Sequence, residues 1–124
     1  MSNIPRWRSD ELRLVSSSDR RLIYSDSSTD TGQAIAPELY QTQIEITLSD
    51  GTNTATATLT LPLVAEAKGL TYDIIVHDAA GGVTLQDQND SRSWDGDFTL
   101  DANDDKISLR SDGVRWIVVD NSIS

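Results

Sequence analysis

The sequence predicts an all-β protein, an antiparallel β-sandwich or small barrel of jelly-roll type. Short apolar runs alternate with polar residues at a period of two, and turn signals recur every 10 to 17 residues from position 50 onward. No segment shows the periodicity of an amphipathic helix. Short strands at this spacing are typical of sandwiches and barrels. The 124 residues suffice for one domain with one core.

The chain divides into two parts that differ in charge. Residues 1–24 contain five arginines and three acidic residues, whereas residues 25–124 contain five basic and 17 acidic residues. Residues 25–39 are rich in Ser, Thr, Asp, Gly and Pro without periodicity, which is typical of a linker or long loop. We therefore predict an extended N-terminal arm and linker over residues 1–40 and a β-module over residues 41–124.

The first strands of this module are predicted to form a hairpin. Apolar residues alternate with polar ones over residues 44–48 and, after a turn at residues 49–53, again over residues 55–61. Each strand therefore has one apolar and one polar face. The hairpin ends at Pro62, which cannot donate to a β-ladder. Residues 64–69 are predicted to form one helical turn that is stopped by its final glycine.

Further strand signals follow in the second half of the module. Residues 72–77 form a β-branched run, residues 83–85 follow a Gly-Gly turn, and residues 98–100 follow an Asp-Gly turn. The strongest hairpin signal is Ser111-Asp112-Gly113, which separates two apolar runs. Asp-Gly is favoured there because tight turns require positive φ angles.

The last predicted strand has apolar side chains on both faces. Residues 116–119 read Trp-Ile-Val-Val, so both faces of this strand are expected to be covered. Either a second subunit or the N-terminal segment of the same chain would cover the second face, and both alternatives stay open here. In the first alternative, Ile117 and Val119 are the residues predicted at the oligomer interface.

Short motifs follow one another in a characteristic order over residues 59–120. They are Leu61-Pro62-Leu63, Gly69-x-x-Tyr72-x-Ile74, Val83-Thr84-Leu85, Phe98-Thr99-Leu100 and Leu109-x-Ser111-Asp112-Gly113-x-x-Trp116. This order and spacing resembles modules of tailed-bacteriophage structural proteins, found in tail-fibre and baseplate chains and in small head-decoration proteins. Such modules are typically trimeric β-structures. The resemblance therefore implies a homotrimer with a structural role in a virion.

Three functional hypotheses follow from the resemblance and the charge pattern. The first is a capsid decoration, or cement, protein that binds the major capsid protein on the outer surface of a phage head and stabilises the shell. This protein would be made in the host cytoplasm and located in the virion. The second is a tail-fibre, baseplate or head-fibre component. The third is a small carbohydrate-binding module or glycan hydrolase, for which the seven aromatic residues leave few to line a groove.

The N-terminal arm carries the residues predicted to bind the partner. Arg6, Trp7 and Arg8, with Arg13 further along, combine guanidinium groups with a large aromatic side chain. These residue types are enriched at interface hot spots. The composition alone is also typical of a disordered tail. We expect these residues to contact acidic or carbonyl groups on the capsid.

Several other classes of function are disfavoured. The net charge of −10 opposes nucleic-acid binding, and the sequence shows neither a membrane span nor a secretory signal. We predict that the protein is not an enzyme and binds no cofactor. His77 and Asp78 could be combined with a serine into a triad, but no nucleophile-elbow sequence surrounds any serine.

One segment partly matches a calcium-binding loop. Asp101, Asn103 and Asp105 occupy positions 1, 3 and 5 of that pattern, and Asp112 falls at position 12. Lys106 stands at position 6, where the pattern requires Gly. We therefore predict no metal site and interpret these weak candidates as solvated acidic turns.

Overall fold

The computed structural model describes residues 20–49, 51–92 and 98–123, which form two packed β-sheets. The strands in chain order are β1 (Arg21–Asp26), β2 (Gln33–Ile35), β3 (Gln43–Leu48), β4 (Thr56–Thr60), β5 (Thr71–Asp78), β6 (Gly82–Gln86), β7 (Phe98–Leu100), β8 (Asp105–Ser111) and β9 (Trp116–Ser122). Sheet A has the order β1-β3-β5-β8-β9, and sheet B has the order β2-β4-β6-β7. The predicted all-β sandwich is confirmed.

The chain alternates between the two sheets through its first six strands. In sheet A, β1, β3 and β5 are neighbours that pair in parallel, and β2, β4 and β6 do the same in sheet B. The pairs β1–β2, β3–β4 and β5–β6 are therefore three β-arches, each with one strand in either sheet. The three arches stack like the coils of a short β-solenoid. Strands β7, β8 and β9 complete the sheets with antiparallel pairs.

The strand directions correct two predictions. The sheets are mixed rather than antiparallel, and the two segments predicted as the first hairpin, β3 and β4, lie in different sheets. Alternating apolar residues show that one face of a strand is buried, but they do not show which strand lies beside it. The connection from β3 to β4 turns through positive φ angles at Gly51 and Asn53 and crosses to the opposite sheet.

The first two strands lie in the region predicted to be arm and linker. The pairs that β1 makes with β3, and β2 with β4, place both strands inside the sandwich. The described sandwich therefore begins at Arg21 and not at residue 41. The prediction failed because these are edge strands. No residue of β1 is fully buried, and β2 has only three residues.

The core between the sheets is aliphatic, with one aromatic pair. Tyr72 of β5 is fully buried, and its ring packs edge-on against Trp116 of β9 with 5.5 Å between the ring centroids. The hydroxyl of Tyr72 donates to the backbone carbonyl of Leu39, and burial raises the pKa of Tyr72 to about 12. The prediction that Trp116 is a core residue is confirmed.

A β-bulge lies within the run of four consecutive apolar residues of β9. The register between β8 and β9 shifts at Val119, which has no counterpart in the pairing with β8. Before the bulge, Trp116 and Val118 lie on the core side of the strand, whereas Ile117 is a half-buried side chain on the outer face of sheet A. The bulge therefore accounts for Val119, and Ile117 remains an apolar residue on the outer face.

The predicted helical turn over residues 64–69 is a hydrogen-bonded turn. The N–H groups of Glu66 and Ala67 both donate to the carbonyl of Leu63, and Gly69 ends the turn with a φ of 85°. Among the described residues, no helix is long and apolar enough to cross a membrane.

Candidate functional site

The arches give the sandwich two chemically different ends. Because β1, β3 and β5 are parallel and each arch returns through sheet B, successive connections lie at opposite ends. The connections at the first end, which we call the acidic end, are residues 27–32, 49 and 51–55, 79–81 and 101–104. Those at the second end, which we call the apolar end, are residues 36–42, 61–70, 87–92 and 111–115.

The acidic end carries carboxylates and no basic side chain in these connections. Asp30, Asp101 and Asp104 are exposed to solvent there. Asp26, at the end of β1, accepts hydrogen bonds from the hydroxyl and backbone N–H of Ser28, which lower the pKa of Asp26 below its ordinary value. The described connections at this end therefore present negative charge to the solvent.

The weak metal candidates lie at this end, and two of them accept hydrogen bonds from backbone N–H groups. Asn103 Oδ1 accepts the N–H of Ala79 at 3.1 Å, and Asp105 Oδ2 accepts the N–H of Ala102 at 3.0 Å. Asp105 is only 1% exposed, whereas Asp101 is exposed. Among the described residues, no group of three or more His, Asp or Glu side chains is arranged to hold a metal ion.

The apolar end holds most of the large hydrophobic side chains that solvent can reach. Seven such side chains are exposed in the described residues, and four of them are Leu39 (37%), Tyr40 (56%), Leu63 (39%) and Val114 (48%). These side chains come from three connections at one end of the sandwich, which makes this end the candidate interaction surface. The predictions made from the sequence did not include this surface. It could have been found from the large apolar residues that lie inside turn-rich segments, where strand periodicity does not account for them.

Two grooves lie among these side chains. The first, of about 470 Å³, runs between residues 36–42 and 61–70 and is lined by Leu39, Tyr40 and Arg20. The second, of about 510 Å³, lies beside Val114. Because Arg20 immediately precedes β1, the N-terminal segment joins the sandwich beside the first groove.

Parts of three motifs singled out in the sequence meet at this end, namely Leu61-Pro62-Leu63, Gly69 and Ser111-Asp112-Gly113. Ser111 Oγ donates to the carbonyl of Val64 at 2.5 Å and accepts the N–H of Gly113 at 3.0 Å. The N–H of Gly69 donates to the carbonyl of Ser111 at 2.8 Å. The Ser-Asp-Gly turn is thereby fastened to the connection that begins with Leu61-Pro62. This framework presents the exposed side chains on either side of it.

Further hydrogen bonds fix the remaining connections of the apolar end. Asp90 Oδ2 accepts the N–H of Val64 at 2.8 Å, and the N–H of Arg92 donates to the carbonyl of Val114 at 2.8 Å. Asp112 Oδ1 accepts the N–H groups of Arg115 and Val114, which lower the pKa of Asp112 below its ordinary value. The apolar end is therefore a preorganised surface.

His77 lies away from this end, on the outer face of sheet A. Its Nε2 is 3.2 Å from Glu45 Oε1, and Arg21 Nη2 donates to Glu45 Oε2 at 2.7 Å. The hydrogen bond from Arg21 and then that from His77 lower the pKa of Glu45. Asp78 accepts the backbone N–H of Ala80 instead of facing the imidazole. These contacts connect three strands and are not those of a catalytic triad.

The other residues singled out from the sequence fall into two groups. Ile117 and Val119 lie on β9, an edge strand of sheet A, where Ile117 is half-buried and Val119 is 57% exposed. The predicted partner-binding residues lie outside the described residues; they are Arg6, Trp7, Arg8 and Arg13.

Comparisons with models of protein families, with curated proteins and with solved structures found no match.

Proposed function

We propose that this protein is a structural component of a tailed-bacteriophage virion, a trimeric decoration protein on the outside of the head. In this proposal the apolar end docks on the capsid and the N-terminal segment strengthens the attachment. One observation carries the proposal. Among the described residues, four of the seven exposed large hydrophobic side chains, two grooves and the point where the N-terminal segment joins the fold lie at the same end.

The charge distribution supports this orientation. The described connections of the acidic end contain carboxylates and no cation, whereas those of the apolar end contain both acidic and basic side chains, and the whole chain has a net charge of −10. A particle coated with such ends is strongly anionic, and like-charged particles repel one another. Docking through the apolar end therefore buries hydrophobic surface and leaves the hydrated end in the solvent.

The role proposed for this surface is mechanical. A protein that binds the assembled shell but not the dissociated capsid subunits stabilises the shell by mass action. At a free concentration of one hundred times Kd, the stabilisation is about 2.7 kcal/mol for each site. The free energies contributed by the many copies bound to one head would add up.

The arginines of the N-terminal segment supply specificity in this proposal. A guanidinium group donates two parallel hydrogen bonds to a carboxylate or to neighbouring carbonyls, a geometry that lysine does not reproduce. Arg6 and Arg8 flank Trp7, which would fill an apolar pocket on the capsid. The groove beside Arg20 is where this segment meets the sandwich.

Truncation of the N-terminal segment tests the proposal. Because β1 begins at Arg21, the deletion should end at residue 19, which keeps every described strand. On heads assembled without this protein, the truncated chain should bind about tenfold more weakly or worse, with an unchanged far-UV circular dichroism spectrum. Replacing both Arg6 and Arg8 with Lys should also weaken binding, although the charge is preserved.

Two results would contradict the proposal. One is equal binding of the truncated and full-length chains to heads, and the other is antibody label confined to the tail in electron micrographs of virions. The second result would favour the tail-fibre or baseplate hypothesis.

A further inference from the structure

The outer face of sheet A carries charged and apolar side chains in rows that cross the sheet. Strand pairing aligns two complete rows over all five strands. One row consists of Arg21, Gln43, Asp73, Ser108 and Asp120, and the next consists of Ile23, Glu45, Ile75, Lys106 and Ser122. These side chains include two cations and three anions, although the whole chain has a net charge of −10. A second copy of the chain can therefore approach this face with little electrostatic repulsion.

The order of the strands relates this face to itself by a twofold axis. The five strands have the order β1-β3-β5-β8-β9, so β5 is central. A twofold rotation about an axis that runs parallel to the strands above β5 lays the same face of a second copy on the first. In that arrangement β1 faces β9, β3 faces β8 and β5 faces itself, each at the same row. The rotation keeps the strand direction, so the apolar ends of both copies point to the same side.

Opposite charges face each other in this arrangement. Arg21 of one copy faces Asp120 of the other, Glu45 faces Lys106, and the half-buried Ile75 faces its own copy. Each charged pair occurs twice because of the symmetry. Twisted sheets that pack in the aligned manner keep their strands within about 30° of each other. The residues close to the axis, which are Ile75, Glu45 and Lys106, therefore stay opposite their partners.

The side chains that meet have free donors and space. Arg21 donates to Glu45 through Nε and Nη2, and a guanidinium group has further N–H donors for a second carboxylate. A groove of about 370 Å³ on this face is lined by Glu45, Asp73 and Lys106, among others. The groove leaves room beside Glu45 for the Lys106 side chain of the second copy.

We propose that sheet A of one copy packs against sheet A of a second copy about this axis. Ile75 lies at the centre of the contact, and the charged pairs lie on either side of it. From the spacing and rise of β-strands, the face measures about 20 Å by 20 Å. This area is about half of the 800 Å² that each partner contributes to a standard interface, so the contact is weak in dilute solution. Copies that are held side by side on a surface form it more readily.

The contact adds a lateral connection to the proposed function. When trimers dock on a head through their apolar ends, their strands run perpendicular to the shell, and so does the twofold axis. The contact then joins copies that belong to neighbouring trimers. The inference rests on the proposed function for this role only.

Cross-linking tests the position of the axis, because the chain has no cysteine of its own. Ile75→Cys lies near its own copy in the proposed contact, whereas Ile23→Cys on the same face lies about 20 Å from its own copy, or four strand spacings. At about 0.5 mM protein, a concentration suited to a weak contact, a short bis-maleimide should link Ile75→Cys to itself and leave Ile23→Cys unlinked. A mixture of Ile23→Cys and Ser122→Cys should be linked. Equal linking of both single variants, or no link at position 75, would overturn the proposal.

Asp73 provides a second test, because it faces its own copy beside the axis and is the one like-charged pair in these two rows. Ser108 Oγ donates to Asp73 Oδ1 at 2.6 Å, and an asparagine oxygen can accept the same bond. In the Ile75→Cys protein, Asp73→Asn should raise the cross-linking rate about threefold or more, relative to the rate with a monofunctional maleimide. Asp101→Asn removes a carboxylate at the acidic end and should change this ratio little. Equal ratios for the two substitutions would contradict an axis over β5.

Charge reversal at Asp120 tests the outer pair. Asp120→Lys places a cation opposite Arg21, so the same ratio of rates should fall about threefold or more. Asp101→Lys changes the net charge equally and should not lower the ratio. A fall of the same size in both variants would show that net charge, and not the pairing with Arg21, controls the association, and would contradict the proposed contact.

The two proposals fail in different experiments. Copies that cross-link through position 75 in solution but do not bind heads would contradict the virion function and leave the contact in place. Copies that bind heads but never cross-link through position 75 would contradict the contact and leave the virion function in place.

Discussion

Trp116 connects the core to the apolar end. Its side chain is 7% exposed, and the edge-on contact with Tyr72 joins β9 to the centre of sheet A. Tyr72 in turn donates to the carbonyl of Leu39, in the connection that carries two exposed apolar residues. The indole Nε1 has no hydrogen-bond partner among the described residues, although it is buried. A structural role through packing therefore accounts for Trp116 better than one through hydrogen bonding.

Two substitutions of Trp116 separate the contribution of its packing from that of its unpaired indole N–H. Trp116→Ala should reduce the free energy of unfolding by about 3–5 kcal/mol, because it leaves a large cavity. Trp116→Phe keeps an aromatic ring beside Tyr72 and removes the unpaired N–H, so its cost should stay below about 1.5 kcal/mol. Denaturant titrations of both variants measure the difference. A loss below about 1 kcal/mol for the alanine variant would show that Trp116 does not support the fold.

At the scale of single elements, the sequence predicted local structure well and strand partners poorly. The β8–β9 hairpin was predictable because its signal, Ser111-Asp112-Gly113, is contained in adjacent residues, and Gly113 has the expected positive φ of 95°. The arches were not predictable in the same way. In the stacked arches each strand pairs with the strand two places later in the chain. Gln43 of β3, for example, pairs with Asp73 of β5. A pattern of alternating residues does not indicate which distant strand is the partner.

The candidate site was predictable only in part, for a related reason. The turn at Ser111-Asp112-Gly113 was predictable from its own residues, and in the structure Ser111 joins it to the connection over residues 61–70. The surface itself is formed by Leu39, Tyr40, Leu63 and Val114, which come from three separate connections. Their location at the same end of the sandwich is a product of the arch topology, so it can be recognised only when the topology is known.

The Asp112 turn should make the β8–β9 hairpin sensitive to acid. Backbone N–H groups lower the pKa of Asp112 from its ordinary value of 3.8, so the unfolded chain binds a proton more readily than the folded chain. The stabilisation is therefore complete above the ordinary pKa and is lost as the pH falls through the lowered one. The Tm advantage of the wild type over Asp112→Ala should shrink as the pH falls from about 7 to about 2.5. A difference in Tm that does not change with pH would contradict this assignment.

At the scale of the whole molecule, the parallel strands explain how one small domain has two distinct ends. Every arch places one connection at the acidic end and the next at the apolar end, so the exposed large apolar side chains of the connections gather at one end of the strands. The same end also carries exposed charges of both signs, among them Glu38, Glu66 and Arg115.

Site-specific labelling tests the orientation of the whole molecule on the particle. Leu63→Cys places a thiol at the apolar end, and Thr29→Cys places one at the acidic end; both positions are exposed in the isolated chain. On decorated heads, the rate of maleimide labelling at position 63 should fall about tenfold or more, because docking covers that end and excludes the reagent. The rate at position 29 should match that of the free protein. Protection at position 29 with free access at position 63 would reverse the proposed orientation, and equal access at both would show that neither end is the docking surface.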